Sequence, residues 1–176
     1  MSTHQFCLKS VHTFSGNEGL GFSANLYDGR KKVAEVLDDA RGGPIQVHYL
    51  DKTVERKLEA IVQSLPKVVC EGIPDPGNPG QPFSYQPDIE HFVNDLFVEH
   101  LKQKEEQKIA RRCKTQTLYV LHSDGEDSYW AIKQPYGPDI KDRLKQKFGA
   151  DLKEILNERF IETAADETED GGPSPR

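Results

Sequence analysis

Two runs of alternating apolar and polar residues, joined by Asp28 and Gly29, constrain the fold of this chain more than any other feature. The first run, Phe22–Leu26, has the period-2 pattern of a half-buried strand. An Asp-Gly pair between two such runs is a strong hairpin signal, because a type I′ turn needs positive φ at both central residues. The sequence therefore predicts a β-hairpin whose second strand is Arg30–Leu37, with apolar residues on both faces of that strand.

The predicted hairpin ends in a short acidic loop with two glycines, DDARGG. Glycines take backbone conformations closed to other residues, so the N–H groups of such a loop can face a ligand. We interpret the loop and the strand after it as a candidate ligand site; the simpler interpretation, an ordinary Asp and Gly turn, is favoured. The candidate ligand-binding residues are Asp38, Asp39, Arg41, Gly42, Gly43, His48 and Tyr49.

A resemblance to a known family is carried by FSANLYDGRKKVAEV, DDARGG, the VNDLFVEHLK segment and the LYVL…YWAIK hairpin. Together these stretches resemble a family of small uncharacterised proteins found in tailed phages and in bacterial genomes, over most of residues 4–160. The chain departs from the family pattern where Gly21 replaces a Cys, Asp38 an Asn and Ala40 a Gly. The resemblance implies a phage-like or mobile-element setting, and it implies no activity.

The remaining patterns predict an α+β fold, in which antiparallel β-hairpins pack with amphipathic helices. Further strands are predicted over His4–Thr13, Pro44–Leu50, Thr115–His122 and Ser128–Gln134, the second of these as a strand or an extended loop. Helices are predicted from Asp51 to Leu65, over Asp88–Arg112, over Asp139–Phe148 and around Leu152–Phe160. Asp51 or Thr53 is the expected cap of the first helix, and Asp88 that of the second.

A stretch rich in proline and glycine, Pro66–Pro87, separates the predicted elements into two halves. It holds six of the 11 prolines, and such a stretch does not sustain a helix or a central strand. We therefore expect a hairpin and helix over residues 1–65, a linker loop over 66–87, and a helix, hairpin and helix over 88–161. A disordered acidic tail is expected over 162–176. The two halves form either one compact body or two small ones.

Composition narrows the classes of function and the expected compartment. The net charge is −6, but much of it lies in the acidic tail, and a nearly neutral body argues against a general nucleic-acid binder. Cys7, Cys70 and Cys113 are widely spaced without a CxxC pair, which predicts free thiols in the cytoplasm. The sequence shows neither a signal-peptide pattern nor a long apolar run, so no membrane association is expected, and no cofactor is expected either.

The sequence contains no catalytic motif such as GxSxG, a Walker loop or HExxH. The first hypothesis is therefore a non-enzymatic binding protein that acts on a host protein or a small ligand. A third hypothesis, ranked below nucleic-acid binding, is a metal-dependent phosphohydrolase or nuclease at Asp38, Asp39 and His48, with Glu35 as a further carboxylate.

Nucleic-acid binding is the main alternative, through the basic segment Lys102–Lys114, the aromatic second hairpin and Lys141–Lys147. Positive side chains near a helix C-terminus also stabilise the helix dipole, and that plainer interpretation is the stronger one. The candidate residues are Lys102, Lys104, Lys108, Arg111, Arg112, Lys114, Tyr119 and Trp130.

Overall fold

The computed structural model describes residues 6–125 and 128–166 of the 176-residue chain. The fold is α+β with antiparallel sheets, as the sequence predicts. The chain divides into a first unit, Met1–Leu101, and a second unit, Lys102–Arg176. The boundary falls inside the longest helix and not at the proline-rich stretch Pro66–Pro87, where the sequence analysis places it.

The first unit is built on a four-stranded antiparallel sheet in the order β1-β2-β3-β4. The strands are β1 (Phe6–Gly16), β2 (Gly19–Asp28), β3 (Lys31–Asp38) and β4 (Gln46–Tyr49). The helices are α1 (Lys52–Ser64) and the first part of α2 (Ile89–Cys113), and between them β5 (Val68–Asp75) and β6 (Asn78–Tyr85) form a two-stranded sheet. The predicted hairpin is confirmed as β2 and β3.

One face of the four-stranded sheet forms the core of the first unit with α1 and α2. The Phe22 ring of β2 stacks on the Phe97 ring of α2, with centroids 3.9 Å apart, and Phe6 meets Phe92 edge to face at 6.1 Å. Aromatic pairs of this kind stabilise a core beyond the area that they bury. The remaining side chains of each strand lie on the opposite face, because successive side chains alternate between faces.

A β-bulge in β3 decides which of its residues are buried. Leu26 lies opposite Ala34 while Tyr27 lies opposite Lys32, so Val33 is an extra residue in β3. The bulge buries the adjacent residues Val33 and Ala34, which are 2% and 0% exposed, in the same core. The consecutive apolar residues of this strand therefore reflect a bulge and not cover on both faces.

The turn between β2 and β3 differs by one residue from the predicted one. Asp28 pairs with Lys31, so the central residues of the turn are Gly29 and Arg30. Of these two, only Gly29 has positive φ, of 59°. A type I′ turn needs positive φ at both positions, whereas glycine at the first central position is typical of type II′. The predicted turn type is therefore wrong.

The proline-rich stretch forms the hairpin of β5 and β6 and is not an unstructured linker. Pro74 lies opposite Pro82, and the ladder is irregular around this pair. Proline is tolerated because both strands of a two-stranded sheet have a free edge, to which a residue without an N–H can turn. At the tip of the hairpin, the Asp75 carboxylate accepts a hydrogen bond from the Gly77 N–H at 2.7 Å.

The second unit is built on a three-stranded antiparallel sheet in the order β8-β7-β9. Its strands are β7 (Thr117–Leu121), β8 (Trp130–Ile132) and β9 (Leu152–Ile155), and its helices are α3 (Pro138–Phe148), α4 (Asn157–Asp166) and the second part of α2. The predicted second hairpin is thus β7 and β8, and it belongs to a different sheet from the first hairpin. Among the described residues, no helix is both long and apolar enough to cross a bilayer.

The last helix begins later than the sequence predicts. Ile155 pairs with Tyr119 and Glu154 with Val120, so Leu152–Ile155 is a strand. Pairing with β7 overrides the helical spacing of the apolar residues in this segment. Helix α4 contains the first five residues of the predicted disordered tail, and the remaining part, 167–176, lies outside the described residues.

A buried asparagine joins three parts of the second unit. Asn157 is 3% exposed, and its Oδ1 accepts a hydrogen bond from the Leu118 N–H of β7 at 2.8 Å. Its Nδ2 donates to the carbonyl oxygens of Cys113 at 3.0 Å and Gln116 at 2.8 Å. This side chain therefore fixes the end of α2 and the start of α4 to the central strand.

Candidate functional site

A cavity of about 480 Å³ lies in the second unit, between α3 and the edge strand β8. We call it the α3 cavity. Its apolar lining is Tyr119, Ile132, Ile140, Leu144 and Phe148, and its polar lining is Gln134, Arg143, Gln146 and Lys147. An apolar interior with a few polar groups, at a volume of roughly 300–1,000 Å³, is typical of sites for small ligands.

The spacing of residues along α3 explains this lining. Ile140, Leu144 and Phe148 recur every four residues and form the apolar stripe that packs into the core of the second unit. Arg143 and Lys147 are also four residues apart, so they lie one above the other beside that stripe. This arrangement places two cations along one edge of an apolar cavity.

The two flanks of α3 differ in how their cations are paired. On one flank, the Lys141 ammonium lies 2.6 Å from the Glu158 carboxylate, which also accepts a hydrogen bond from the Tyr136 hydroxyl. These hydrogen bonds, that from Lys141 foremost, lower the pKa of Glu158. Among the side chains of residues 6–125 and 128–161, no carboxylate lies within 4 Å of Arg143 or Lys147. The cavity edge therefore presents positive charge that an anionic group can neutralise.

Two aromatic residues of the second hairpin, both predicted as nucleic-acid contacts, are placed differently. Tyr119 is 8% exposed and its ring lies 5.3 Å from that of Phe148, so it belongs to the core and is not a stacking surface for bases. Burial also raises the pKa of its phenol. Trp130 is 55% exposed, but its Nε1 donates to the Asp124 carboxylate at 3.0 Å. The acid beside Trp130 disfavours a nucleic-acid backbone there.

The basic segment of α2 is only partly free to bind a ligand. The Lys108 ammonium lies 3.1 Å from the Glu105 carboxylate, and the Arg112 guanidinium donates to Gln116 and Tyr129. Lys108 is therefore paired on the helix surface, and Arg112 joins α2 to Tyr129. The other members of the segment are exposed and have no ion pair among the described residues: Lys102, Lys104, Arg111 and Lys114.

The acidic loop after β3 uses its carboxylates to hold its own backbone. Asp38 accepts a hydrogen bond from the Ala40 N–H at 2.8 Å, and Asp39 accepts one from the Arg41 N–H at 3.1 Å. The Ala40 carbonyl in turn accepts from the Glu18 N–H of the β1–β2 turn at 3.0 Å. These bonds support the simpler interpretation of the loop, a turn stabilised by aspartate side chains.

The glycine pair of this loop has a steric role at one of its two positions. Gly42 has φ of 78°, and a Cβ there would lie 2.5 Å from the Glu18 carboxylate. A side chain at Gly43 would meet no atom within 4 Å. The positive φ accounts for Gly42 without a ligand, because the Glu18 carboxylate ends a flexible side chain that can move aside.

His48 and Tyr49 lie on opposite faces of the sheet and do not form one site with the loop. His48 is opposite Glu35, and Tyr49 is opposite Ala34 on the core side. The Tyr49 hydroxyl is buried without a hydrogen-bond partner among the described residues. Burial foremost, and two carboxylates of α1, raise the pKa of this phenol to about 12.

Among the side chains that the structure describes, residues 6–125 and 128–161, no three His, Cys, Asp or Glu residues are grouped so that they hold a metal ion. Glu35 and His48 face each other across β3 and β4, whereas Asp38 and Asp39 follow three and four residues later along the chain. These four residues therefore form no such group in the described part of the chain, and the metal-dependent hydrolase or nuclease hypothesis stays a prediction.

The three cysteines are not paired in disulfides. Cys7, Cys70 and Cys113 are free thiols, each half-buried. Burial raises the pKa of Cys113, which keeps this thiol protonated at neutral pH.

Comparison with known proteins finds no match for this chain. No protein family, no curated protein and no solved structure is similar enough to count as a relative. The resemblance to phage and bacterial proteins therefore stays a prediction.

The α3 cavity is not among the candidate sites predicted from the sequence. The helix Asp139–Phe148 is predicted, and Lys141–Lys147 is predicted as a phosphate contact. The available signal was the i, i+4 pair Arg143 and Lys147 on one flank of the apolar stripe of that helix. The contribution of Ile132 depends on how α3 packs against the predicted second hairpin, which the sequence does not specify.

Proposed function

We propose that this protein is a non-enzymatic binding protein whose ligand carries an apolar part and an anionic group. The single observation that carries the proposal is the α3 cavity, in which an apolar interior adjoins Arg143 and Lys147. An apolar group gains free energy when it leaves water for such a cavity, and the cations orient the anionic end. The ligand is a small molecule or part of a host protein, in the phage-like setting that the sequence resemblance implies.

A thermal-shift screen with matched pairs of small molecules tests this proposal. The probes are phenylacetate, octanoate and phenyl phosphate, with phenylacetamide and octanamide as uncharged counterparts. A ligand that binds only the folded state raises its stability by about 2.7 kcal/mol at a hundredfold excess over Kd. We expect one or more of the anions to raise Tm and the corresponding amides to have a weaker effect.

Charge-removing variants of α3 locate the binding. The double variant Arg143→Gln, Lys147→Gln is expected to lose the response to the anions. Lys145→Gln removes one charge from the same helix outside the cavity lining, so it should respond as the wild type does. The proposal is wrong if no anion raises Tm, or if the double variant responds as fully as Lys145→Gln.

Nucleic-acid binding along α2 is the second candidate, supported by the four exposed cations of Lys102–Lys114 that lack ion pairs among the described residues. Fluorescence anisotropy with a labelled single-stranded oligonucleotide tests it. Four phosphate contacts on a single strand give a slope of log K against log salt of about −3. Salt-independent binding, or no binding, would exclude this candidate.

A further inference from the structure

The edge strand β8 presents an unpaired backbone beside the α3 cavity. Among the described residues, β8 pairs with β7 and with no other strand. An open strand edge presents N–H and C=O groups to which another chain can add. Only some backbone N–H and C=O groups of β8 point to this open edge, since those groups alternate in direction along a strand.

The hydrogen bonds of Leu118 in β7 show which backbone groups of β8 point to the open edge. Its N–H donates to Asn157 Oδ1 and its C=O accepts from the Leu156 N–H, so both groups point to the β9 side of β7. Leu118 lies opposite Ala131 of β8. Because Leu118 turns both groups away from β8, this is a non-hydrogen-bonded pair of the antiparallel ladder. The N–H and C=O of Ala131 therefore point to the open edge.

The residue beside Ala131 connects this edge to the cavity. Ile132 pairs with Thr117, and its side chain lines the α3 cavity. A strand that pairs with Ala131 would direct the side chain next to Ile132 toward the same face, since neighbouring side chains across a sheet lie on one side. An apolar side chain at that position reaches the cavity interior.

The positive charge at the cavity edge favours an acidic side chain in such a strand. Arg143 and Lys147 line the same cavity as Ile132 of β8 and have no carboxylate partner within 4 Å in the described part of the chain. An acidic side chain, placed near the apolar one, brings a carboxylate to these cations. Guanidinium and carboxylate groups form strong charge-assisted hydrogen bonds.

We infer that the natural ligand is an extended, acidic peptide segment of a partner protein, which adds to β8 as a further strand. Ala131 supplies the backbone hydrogen bonds, the α3 cavity takes an apolar side chain, and Arg143 and Lys147 take a carboxylate. This combination of main-chain pairing and side-chain pockets is a recurring mode of peptide recognition. The inference rests on the proposed binding function and names the class of its ligand.

Selection from a displayed random octapeptide library against the full chain tests the inference. We expect enrichment of peptides that combine an apolar residue with a nearby acidic residue. Their affinity is measured by fluorescence anisotropy of the labelled peptides. Phenylacetate should compete with them, because both occupy the α3 cavity.

The variant Ala131→Pro measures how much the backbone N–H at the β8 edge contributes to peptide affinity. Proline lacks the N–H, and this N–H is outside the β7–β8 ladder, so the variant should fold and lose peptide affinity by about tenfold or more. Ala131→Val keeps the N–H at the same exposed position and should bind as the wild type does. A Pro variant that fails to fold would contradict the outward direction of the N–H and overturn the inference.

The outcomes separate this inference from the proposed function. If no peptide is enriched, or if enriched peptides bind Ala131→Pro as tightly as Ala131→Val, strand addition is wrong. If phenylacetate still raises the Tm of both variants in that case, the small-ligand form of the proposed function stands. If neither peptides nor phenylacetate bind the wild type, both proposals are wrong.

Discussion

The substitution Asn157→Asp tests whether one buried amide holds the second unit together. The two side chains have the same shape, and Asp retains an oxygen to accept from the Leu118 N–H. It loses the two N–H donors that bond the carbonyl oxygens of Cys113 and Gln116. A carboxylate oxygen then faces these two carbonyl oxygens in a site that is 3% exposed in the wild type.

The expected loss of stability is large, although the substitution replaces only the amide NH2 group by an oxygen. A buried polar group that loses its partner costs about 1–3 kcal/mol, so two orphaned carbonyls cost about 2–6 kcal/mol. For a unit of this size, each kcal/mol lowers Tm by roughly 4–8 °C. We therefore expect Tm to fall by at least about 8 °C for the second unit.

The assay uses the only tryptophan of the chain, Trp130, which lies in β8 of the second unit. Its fluorescence during urea unfolding follows this unit. Gln107→Glu is the matched control, since it makes the same chemical change at an exposed position of α2 and should alter stability by less than about 0.5 kcal/mol.

The pH dependence of Asn157→Asp gives a second criterion. Burial against carbonyl oxygens raises the pKa of the introduced carboxyl above its value in the unfolded chain. The folded state then retains its proton more tightly, so the defect should be larger at pH 7 than at pH 4. A loss below about 1 kcal/mol at pH 7, or a defect that grows on acidification, would refute the account of this joint.

Three further predictions concern other contacts. Gly16→Ala places a Cβ 2.5 Å from the Ala40 Cβ and should destabilise the first unit by about 1–3 kcal/mol in a circular-dichroism melt, whereas Gly43→Ala, in open space, should not. Equal effects of the two would contradict the packing of the loop. Tyr49→Phe removes a buried hydroxyl without a partner and should leave stability equal or higher, by up to about 1 kcal/mol. Because the pKa of this phenol is raised to about 12, the unfolded chain ionises first, so the wild type should lose stability between pH 10 and 12 in a way that the Phe variant does not. Glu158→Gln should reduce the loss of stability on acidification. The lowered pKa of Glu158 stabilises the folded state at neutral pH, and that contribution is lost as pH falls through the folded pKa. Unchanged acid unfolding would count against the Lys141–Glu158 contact.

Sequence patterns predict the elements that depend on local signals. Asp51 caps α1 by accepting from the Thr53 N–H at 2.8 Å, as its position before the helix suggests. Pro138 begins α3 and Gly149, with φ of 54°, ends it. Asp-Gly likewise marks the first hairpin, although the turn is shifted by one residue. In these places the residue that sets the backbone conformation lies within the element itself.

Elements that depend on distant partners are not predictable in the same way. Leu152–Ile155 has helical spacing, but its pairing with β7 makes it a strand. The proline-rich stretch forms a hairpin because its strands leave free edges, which composition does not reveal. The α3 cavity combines α3 with Ile132, a residue of the neighbouring sheet, and only the fold brings them together.

The most direct test of the central claim, that ligands bind at the α3 cavity, is an NMR titration of the labelled chain with phenylacetate. The account predicts amide chemical-shift changes clustered on Ile132, Leu144 and Phe148, with a much smaller response in Arg143→Gln, Lys147→Gln. Changes clustered on Asp38–Gly43, or no changes at saturating phenylacetate, would contradict it.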